Sequence, residues 1–407
     1  MRPSRAAEEH GSTRGTRILL LSACLLTGAS ATYAEKHVVD CSRDSLADAV
    51  NSVKDKDTTI QFTGSCAGPI VIRTDGLNLE GIGTATIDGG GQDAVTVAGA
   101  GRVTLANFDV QNGLNGLAGV NGAHLTVTNV NSHDNGVFGM TLQTSSSATL
   151  TNVSIAHNGV FGLDVETGSA VTVTGTFSSA NNTVFGVNVN GSSITFAQAT
   201  VAANSNALGI QIATNANAFI NDSATSITVN NNLATGLTVV SGAHLVSFGG
   251  SINAAGNPVA GVSVNSKAGL DLDAGSTLTT ANNGTGLLIQ EGSVMTVFNN
   301  PQFSGKPGFS TVDANHNTGD GIRVLTGSTL TLSNQARITT TSNTRNGLVA
   351  DNGAGVTLVN SAATGNGLKD IQLTFATRAD VTTSSFGTYT CDATVLVRGT
   401  AGIVCPH

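Results

Sequence analysis

Asn135-Gly136-Val137-Phe138-Gly139-Met140-Thr141-Leu142 returns as Asn158-Gly159-Val160-Phe161-Gly162-Leu163-Asp164-Val165. A third copy is Asn182-Thr183-Val184-Phe185-Gly186-Val187-Asn188-Val189, so the intervals are 23 and 24 residues. Weaker copies follow at Gly209-Ile210, Gly236-Leu237, Gly261-Val262, Gly286-Leu287, Gly321-Ile322 and Gly347-Leu348. A period in this range marks a solenoid, in which each repeat buries its apolar face against the next. Outward from Gly139, the coil holds Met140-Thr141-Leu142, Thr149-Leu150-Thr151 and Val153-Ser154-Ile155, split by Gly, Asn and Ser. Period-two alternation over so few residues, bounded by turn formers, reads as half-buried strands. Three strands per circuit, each stacked on its equivalent, predict an all-β fold: three parallel sheets around one narrow core. The crossover preference makes the winding right-handed. The length of the repeated region predicts about twelve coils. Leucine-rich repeats would show a helix or a leucine ladder, and propeller blades need about 40 residues, so neither fits.

The flanks of this array read differently. Residues 1–34 have the pattern of an export signal: Arg2, Arg5, Arg14 and Arg17, an apolar run from Ile18 to Leu26, then small residues. Nine apolar residues are too few to cross a bilayer core, which needs about 20. Leu21-Ser22-Ala23-Cys24 also resembles a lipoprotein box, a minor alternative because the apolar run continues past Cys24. A secreted or periplasmic protein is expected. Residues 35–69 predict an N-terminal cap. In it Leu46, Ala49, Val50 and Val53 share one helical face, with Ser45 placed to cap the helix. The β-helix is expected over 70–390 and a disulfide-closed end over 391–407.

Four cysteines lie outside the signal: Cys41, Cys66, Cys391 and Cys405. In an exported chain they read as two disulfides. The two pairs sit at opposite ends of a stack whose strands are about 4.8 Å apart. A disulfide needs Cα atoms within about 7 Å. Cys41–Cys66 and Cys391–Cys405 is the pairing a solenoid permits.

Only 11% of the 407 residues are charged, and the formal net charge is −8. Gly, Asn, Ser and Thr replace the usual charged surface. That balance argues against a nucleic-acid partner.

The repeat grammar over roughly residues 60–390 resembles the right-handed parallel β-helix proteins of pectate-lyase-like fold. Asn107, Asn129 and Asn152, spaced 22 and 23 apart, occupy one coil position, where that fold often stacks an asparagine ladder. The resemblance implies polysaccharide lyase or hydrolase chemistry only where the family's catalytic motifs recur. Asn317-Thr318-Gly319-Asp320 is a shifted echo of the hydrolases' Asn-Thr-Asp run, and Arg323 is followed by Val324. No adjacent Asp pair and no Gly-His-Gly occur in the sequence. No catalytic residue is carried over.

What remains is a surface. Alternation after each repeat glycine points Thr141, Gln143, Asp164, Glu166, Asn188, Asn190 and Gln211 outward as one polar patch. Asp164 and Glu166 fall about 7 Å apart on one strand face, a spacing that paired-carboxylate hydrolysis accepts. Two solvated carboxylates are the plainer reading, for these and for Asp271 and Asp273. Phe138, Phe161 and Phe185 stack at one position. That position holds Asp320 in a later coil, which suggests solvent access, so an exposed ladder for a glycan or protein competes with a ladder tucked under a turn. His133, Asp134 and His157 read as turn residues before metal ligands. The interval from Gly286 to Gly321 holds about ten extra residues around Asn299–Gly308, a loop of the kind solenoids use for binding. The ligand-binding candidates are therefore Gln143, Asp164, Glu166, Asn188, Asn190, Phe138, Phe161 and Phe185. No catalytic residue, metal or cofactor is assigned. The expected protein is a monomeric, non-catalytic solenoid with a polysaccharide, envelope or protein partner, and a divergent lyase or hydrolase is the alternative.

Overall fold

The computed structural model describes residues 36–300, 308–333, 335–399 and 402–406. The expected export signal over 1–34, Cys24 and most of the Asn299–Gly308 insertion lie outside the described residues. The strand Lys36–Asp40 pairs in parallel with Thr59–Ala67 and opens the stack. Between them Leu46–Ser52 is helical because Ser45 caps it: the Asp48 N–H donates to Ser45 Oγ at 3.1 Å. Leu46 and Val50 are buried, with Ala49 and Val53 partly buried against the same core, as their spacing predicts. Cys41–Cys66 and Cys391–Cys405 are bonded, with Cα separations of 5.0 and 5.4 Å.

One parallel sheet has fourteen strands, one per coil, from Ile70–Ile72 to Tyr389–Cys391. The solenoid thus has fourteen coils where the repeat predicts about twelve. The other two faces are not two separate sheets but one 23-stranded sheet. In the early coils a single long strand, such as Ser147–Ala156, runs over both faces. It bends at one residue of positive φ, Asn152 at 55°, and Asn107 and Asn129 do the same in their coils. A single left-handed residue turns the chain without ending the ladder. Later coils insert more residues at this corner, and the strand divides, as into Asn217–Ile220 and Ser226–Thr228.

The three asparagines at the bend form the expected ladder on the surface. Asn129 Nδ2 donates to Asn107 Oδ1 at 2.9 Å, and Asn152 Nδ2 to Asn129 Oδ1 at 3.2 Å. A longer ladder lies inside. Asn135, Asn158, Asn182, Asn206, Asn232, Asn257, Asn283, Asn317, Asn343 and Asn366 stack coil on coil. In each step the upper Oδ1 accepts both the lower residue's backbone N–H and its Nδ2, as with Asn158 N–H (3.1 Å) and Nδ2 (2.9 Å) to Asn182. All but Asn366 are buried. Buried amides without partners would each cost about 1–3 kcal/mol, and the stack provides the partners through every turn. The repeat glycine follows from this. A Cβ on Gly162 would lie 2.0 Å from Ser179 Oγ and 2.7 Å from Asn182 Nδ2, so no larger side chain fits beside the ladder.

Candidate functional site

The proposed face belongs to the fourteen-stranded sheet, on the strands Phe138–Leu142, Phe161–Glu166, Phe185–Asn190 and Leu208–Ala213. Their register stacks Phe138, Phe161 and Phe185, and aligns Thr141, Asp164, Asn188 and Gln211. Met140, Leu142, Leu163, Val165, Val187 and Val189 point the other way and are fully buried in the core. Alternation therefore places the polar row on the side of the sheet away from these core residues.

Its exposure is another matter. Asp164 is 0% exposed, and Thr141 and Asn188 are buried with it. The expectation of a solvated Asp164 beside Glu166 is corrected. Side chains one coil apart stand only about 4.8 Å from each other, so Thr141 and Asn188 flank the carboxyl closely on both sides. Asn188 Nδ2 donates to Asp164 Oδ1 at 2.8 Å, and Gln211 Nε2 donates weakly to Asn188 Oδ1 at 3.4 Å. Asp164 Oδ2 and Thr141 Oγ1, both buried, have no hydrogen-bond partner. Burial raises the Asp164 pKa to about 7, the Asn188 amide opposes the rise, the Glu166 charge adds to it, and the neighbouring Thr141 hydroxyl opposes it least. At pH 7 this carboxyl is therefore about half protonated, where an ordinary carboxyl is ionised. In its protonated form the carboxyl carries a donor of its own beside the unpartnered Thr141 Oγ1.

Gln143, Glu166 and Asn190, at the strand ends, are half-buried and reachable. Phe138, Phe161 and Phe185, at the strand starts, are also half-buried, with ring centroids 5.4 and 5.0 Å apart and tilted planes. The face is a sunken polar floor between an amide and carboxylate rail and an aromatic rail.

The family model for the right-handed β-helix region matches residues 70–234. The fold of the chain is a right-handed parallel β-helix solenoid. The enzymatically active domain of tailspike protein 2 from bacteriophage CBA120 is similar at 12% identity and a TM-score of 0.46. That match covers 62% of this chain and 44% of the tailspike domain, so the β-helix spans less than half of that domain's length. Pectate lyase Pel9A is similar at 15% identity, over 82% of this chain and 80% of that one, with a TM-score of 0.35. The A-module of a mannuronan C-5 epimerase of Azotobacter vinelandii is similar at 12% identity, over 89% and 92%, with a TM-score of 0.35. These are likenesses of fold alone. No curated protein sequence matches the chain.

Elsewhere on this β-helix the sequence candidates separate. Asp134 and His157 hold the left-handed corner residue just before the buried Asn135 and Asn158, with φ of 54° and 55°. His133 Nδ1 lies 2.7 Å from Asp134 Oδ2. Among the described residues no group of three or more His, Cys, Asp or Glu could hold a metal ion, and no helix is long and apolar enough to cross a membrane. Asp271 faces His244 Nε2 at 3.0 Å, while Asp273 is buried and accepts the Asn300 N–H at 2.8 Å. The two are not a carboxylate pair.

Asp320, whose place in the phenylalanine column suggests solvent access, is instead buried. Asn346 donates its N–H and Nδ2 to Asp320 Oδ1 at 3.0 and 2.8 Å, and Arg323 Nε lies 3.5 Å from Oδ2. This cluster and the buried asparagine ladder are the features that the sequence reading missed. The ladder has a plain signal: an Asn three to four residues before almost every repeat glycine.

Proposed function

We propose that this protein is an exported, non-catalytic β-helix that binds a glycan or a surface partner along the Phe138–Phe161–Phe185 face. The observation that carries this reading is the pairing of two reachable rails on a rigid sheet. Gln143, Glu166 and Asn190 offer amide and carboxylate groups to hydroxyls, at the coil repeat of about 4.8 Å. The phenylalanine stack offers apolar contact along the same axis. The array is preorganised, so little ordering cost is incurred on binding. Each neutral hydrogen bond adds only about 0.5–1.5 kcal/mol, so affinity is modest and spread over several residues. The buried row Thr141–Asp164–Asn188 serves as the floor that fixes the strands.

The test is a panel of soluble polysaccharides run against the protein and the Glu166→Ala/Phe161→Ala double variant by affinity electrophoresis. Retardation by at least one glycan, lost in the double variant with an unchanged melting temperature, is expected. Equal retardation of both proteins removes this face from consideration.

One observation favours a second reading, hydrolysis. A carboxyl protonated near neutrality beside the reachable Glu166 has the arrangement of an acid and its partner. Its complete burial counts against this, since a general acid must reach the leaving oxygen. Release of reducing ends by the protein, abolished in Asp164→Asn and in Glu166→Gln, would establish the enzyme.

A further inference from the structure

Arg323 stands in the outward row of the fourteen-stranded sheet, aligned with Leu288 on one side and Val349 on the other. Neither neighbour can accept a hydrogen bond from a guanidinium. Arg345 lies one coil later, in the turn before Leu348–Asp351, and its side chain is 59% exposed. Both arginines approach the same carboxylate, and neither is satisfied by it. Asp320 Oδ1 is already occupied by the two donors of Asn346. Arg323 Nε lies 3.5 Å from Oδ2, yet it is buried and makes no hydrogen bond. Arg345 Nε is 3.9 Å from Oδ1.

Among the described residues neither guanidinium has another ion pair or hydrogen bond. The other acids of these coils are engaged elsewhere: Asp351 accepts from Thr374, and Asp370 from Asn366 and Thr388. The cluster therefore holds two fixed positive charges against one negative charge, on a chain whose net charge is −8. Its unsatisfied donors are those of planar forks, which match the paired oxygens of an oxyanion.

We propose that Arg323 and Arg345 form a binding site for an oxyanion, a carboxylate, sulfate or phosphate group, with Asp320 as the buried residue that orients both guanidiniums. The site lies six strands along the sheet from Asp164, about 29 Å at the strand spacing. It is independent of the glycan-binding face, and each can fail without the other.

The experiment titrates the full chain with sodium acetate, sulfate and phosphate, each against sodium chloride at matched ionic strength, by calorimetry. Saturable binding of at least one oxyanion, above the chloride baseline, is expected, and the tightest of the three names the group. Arg345→Gln should weaken it about tenfold or more, the usual loss when one charge-assisted pair is removed. Arg345→Lys, which keeps the charge and loses the fork, should fall between. Arg102→Gln, at the opposite end of the stack, should leave it unchanged. If Arg323→Gln fails to fold because its Nε is buried, Arg345→Gln alone decides, since its exposed side chain can be replaced without loss of the fold. Binding no tighter than chloride for all three salts, or equal binding by the protein and folded Arg345→Gln, overturns the proposal.

Discussion

Asp164 pairs a buried carboxyl with a single amide donor, and that imbalance sets a pH dependence. Its pKa rises from 3.8 to about 7 on folding, so the folded state binds a proton that the unfolded state releases. The stability this proton confers is complete below pH 3.8 and declines as pH rises, until it is lost above about 7. The full span is on the order of 4 kcal/mol at 1.36 kcal/mol per pKa unit. Asp164→Asn keeps the acceptor for Asn188 and supplies a permanent donor on the Thr141 side. The variant should therefore melt higher than the parent at pH 8.5 and nearly level with it at pH 4, by calorimetry at both pH values. A parent advantage at pH 8.5 would show that the carboxylate is solvated after all. The alternation Phe161-Gly162-Leu163-Asp164 is enough to place Asp164 on the outer side of its strand. It does not reveal that Thr141 and Asn188 enclose it, because burial of an outward residue depends on its neighbours in the coils before and after, and those are fixed by register.

Among the elements of a coil, the corner asparagines divide into two ladders of unequal worth. Asn206 Oδ1 accepts the Asn182 N–H at 2.8 Å and its Nδ2 at 3.1 Å, inside the turn and away from water. Asn206→Ala strands the Asn182 N–H and leaves Nδ2 only its bond to Ser179 Oγ at 3.1 Å, so a loss of about 2–4 kcal/mol is expected from the buried donors left unpaired. Asn129 also bridges two coils, yet it is exposed, and water replaces what Asn129→Ala removes. That substitution should cost about 1 kcal/mol or less. Urea melts of the two variants check the contrast, and similar losses in both would contradict it. Gly162→Ala should resemble Asn206→Ala, because its methyl group would press on Ser179 and Asn182. The surface ladder was legible in the sequence since it resembles a familiar device. The buried one was equally regular in the sequence, but Asn135, Asn158 and Asn182 open the repeat and read first as turn formers. The Asp320 cluster was hidden for another reason: Asp320, Arg323 and Arg345 come from two coils of irregular length, and only the stack brings them together.

Over the whole solenoid each coil is held by its two neighbours, so the end coils, with one neighbour each, set where unfolding begins. The N-terminal end is covered by the helix Leu46–Ser52, which buries Leu46 and Val50, and the Cys41–Cys66 bond ties the first strands together. At the C-terminal end no helix is present among the described residues. Val395 and Cys405 are buried there and Val397 and Ile403 partly so, while Phe375 and Val404 are largely exposed. Cys391–Cys405 closes a short loop, and a bridge over about 15 residues contributes roughly 3 kcal/mol in the chain-entropy view. That is a large share of what a single end coil can gain from one neighbour. Cys391→Ser/Cys405→Ser should therefore release Tyr389–Cys391 and Leu396–Gly399 to rapid hydrogen exchange, and Ile371–Leu373 to a lesser degree, while Phe161–Glu166 keeps its protection. Cys41→Ser/Cys66→Ser should change the first coils less, because the helix still covers them. Mass-resolved hydrogen exchange on both variants distinguishes fraying from one end from collapse of the whole array. Simultaneous loss of protection at Tyr389–Cys391 and Phe161–Glu166 would mean that the fourteen coils unfold as one unit, with the buried asparagine stack coupling them more strongly than nearest-neighbour packing alone.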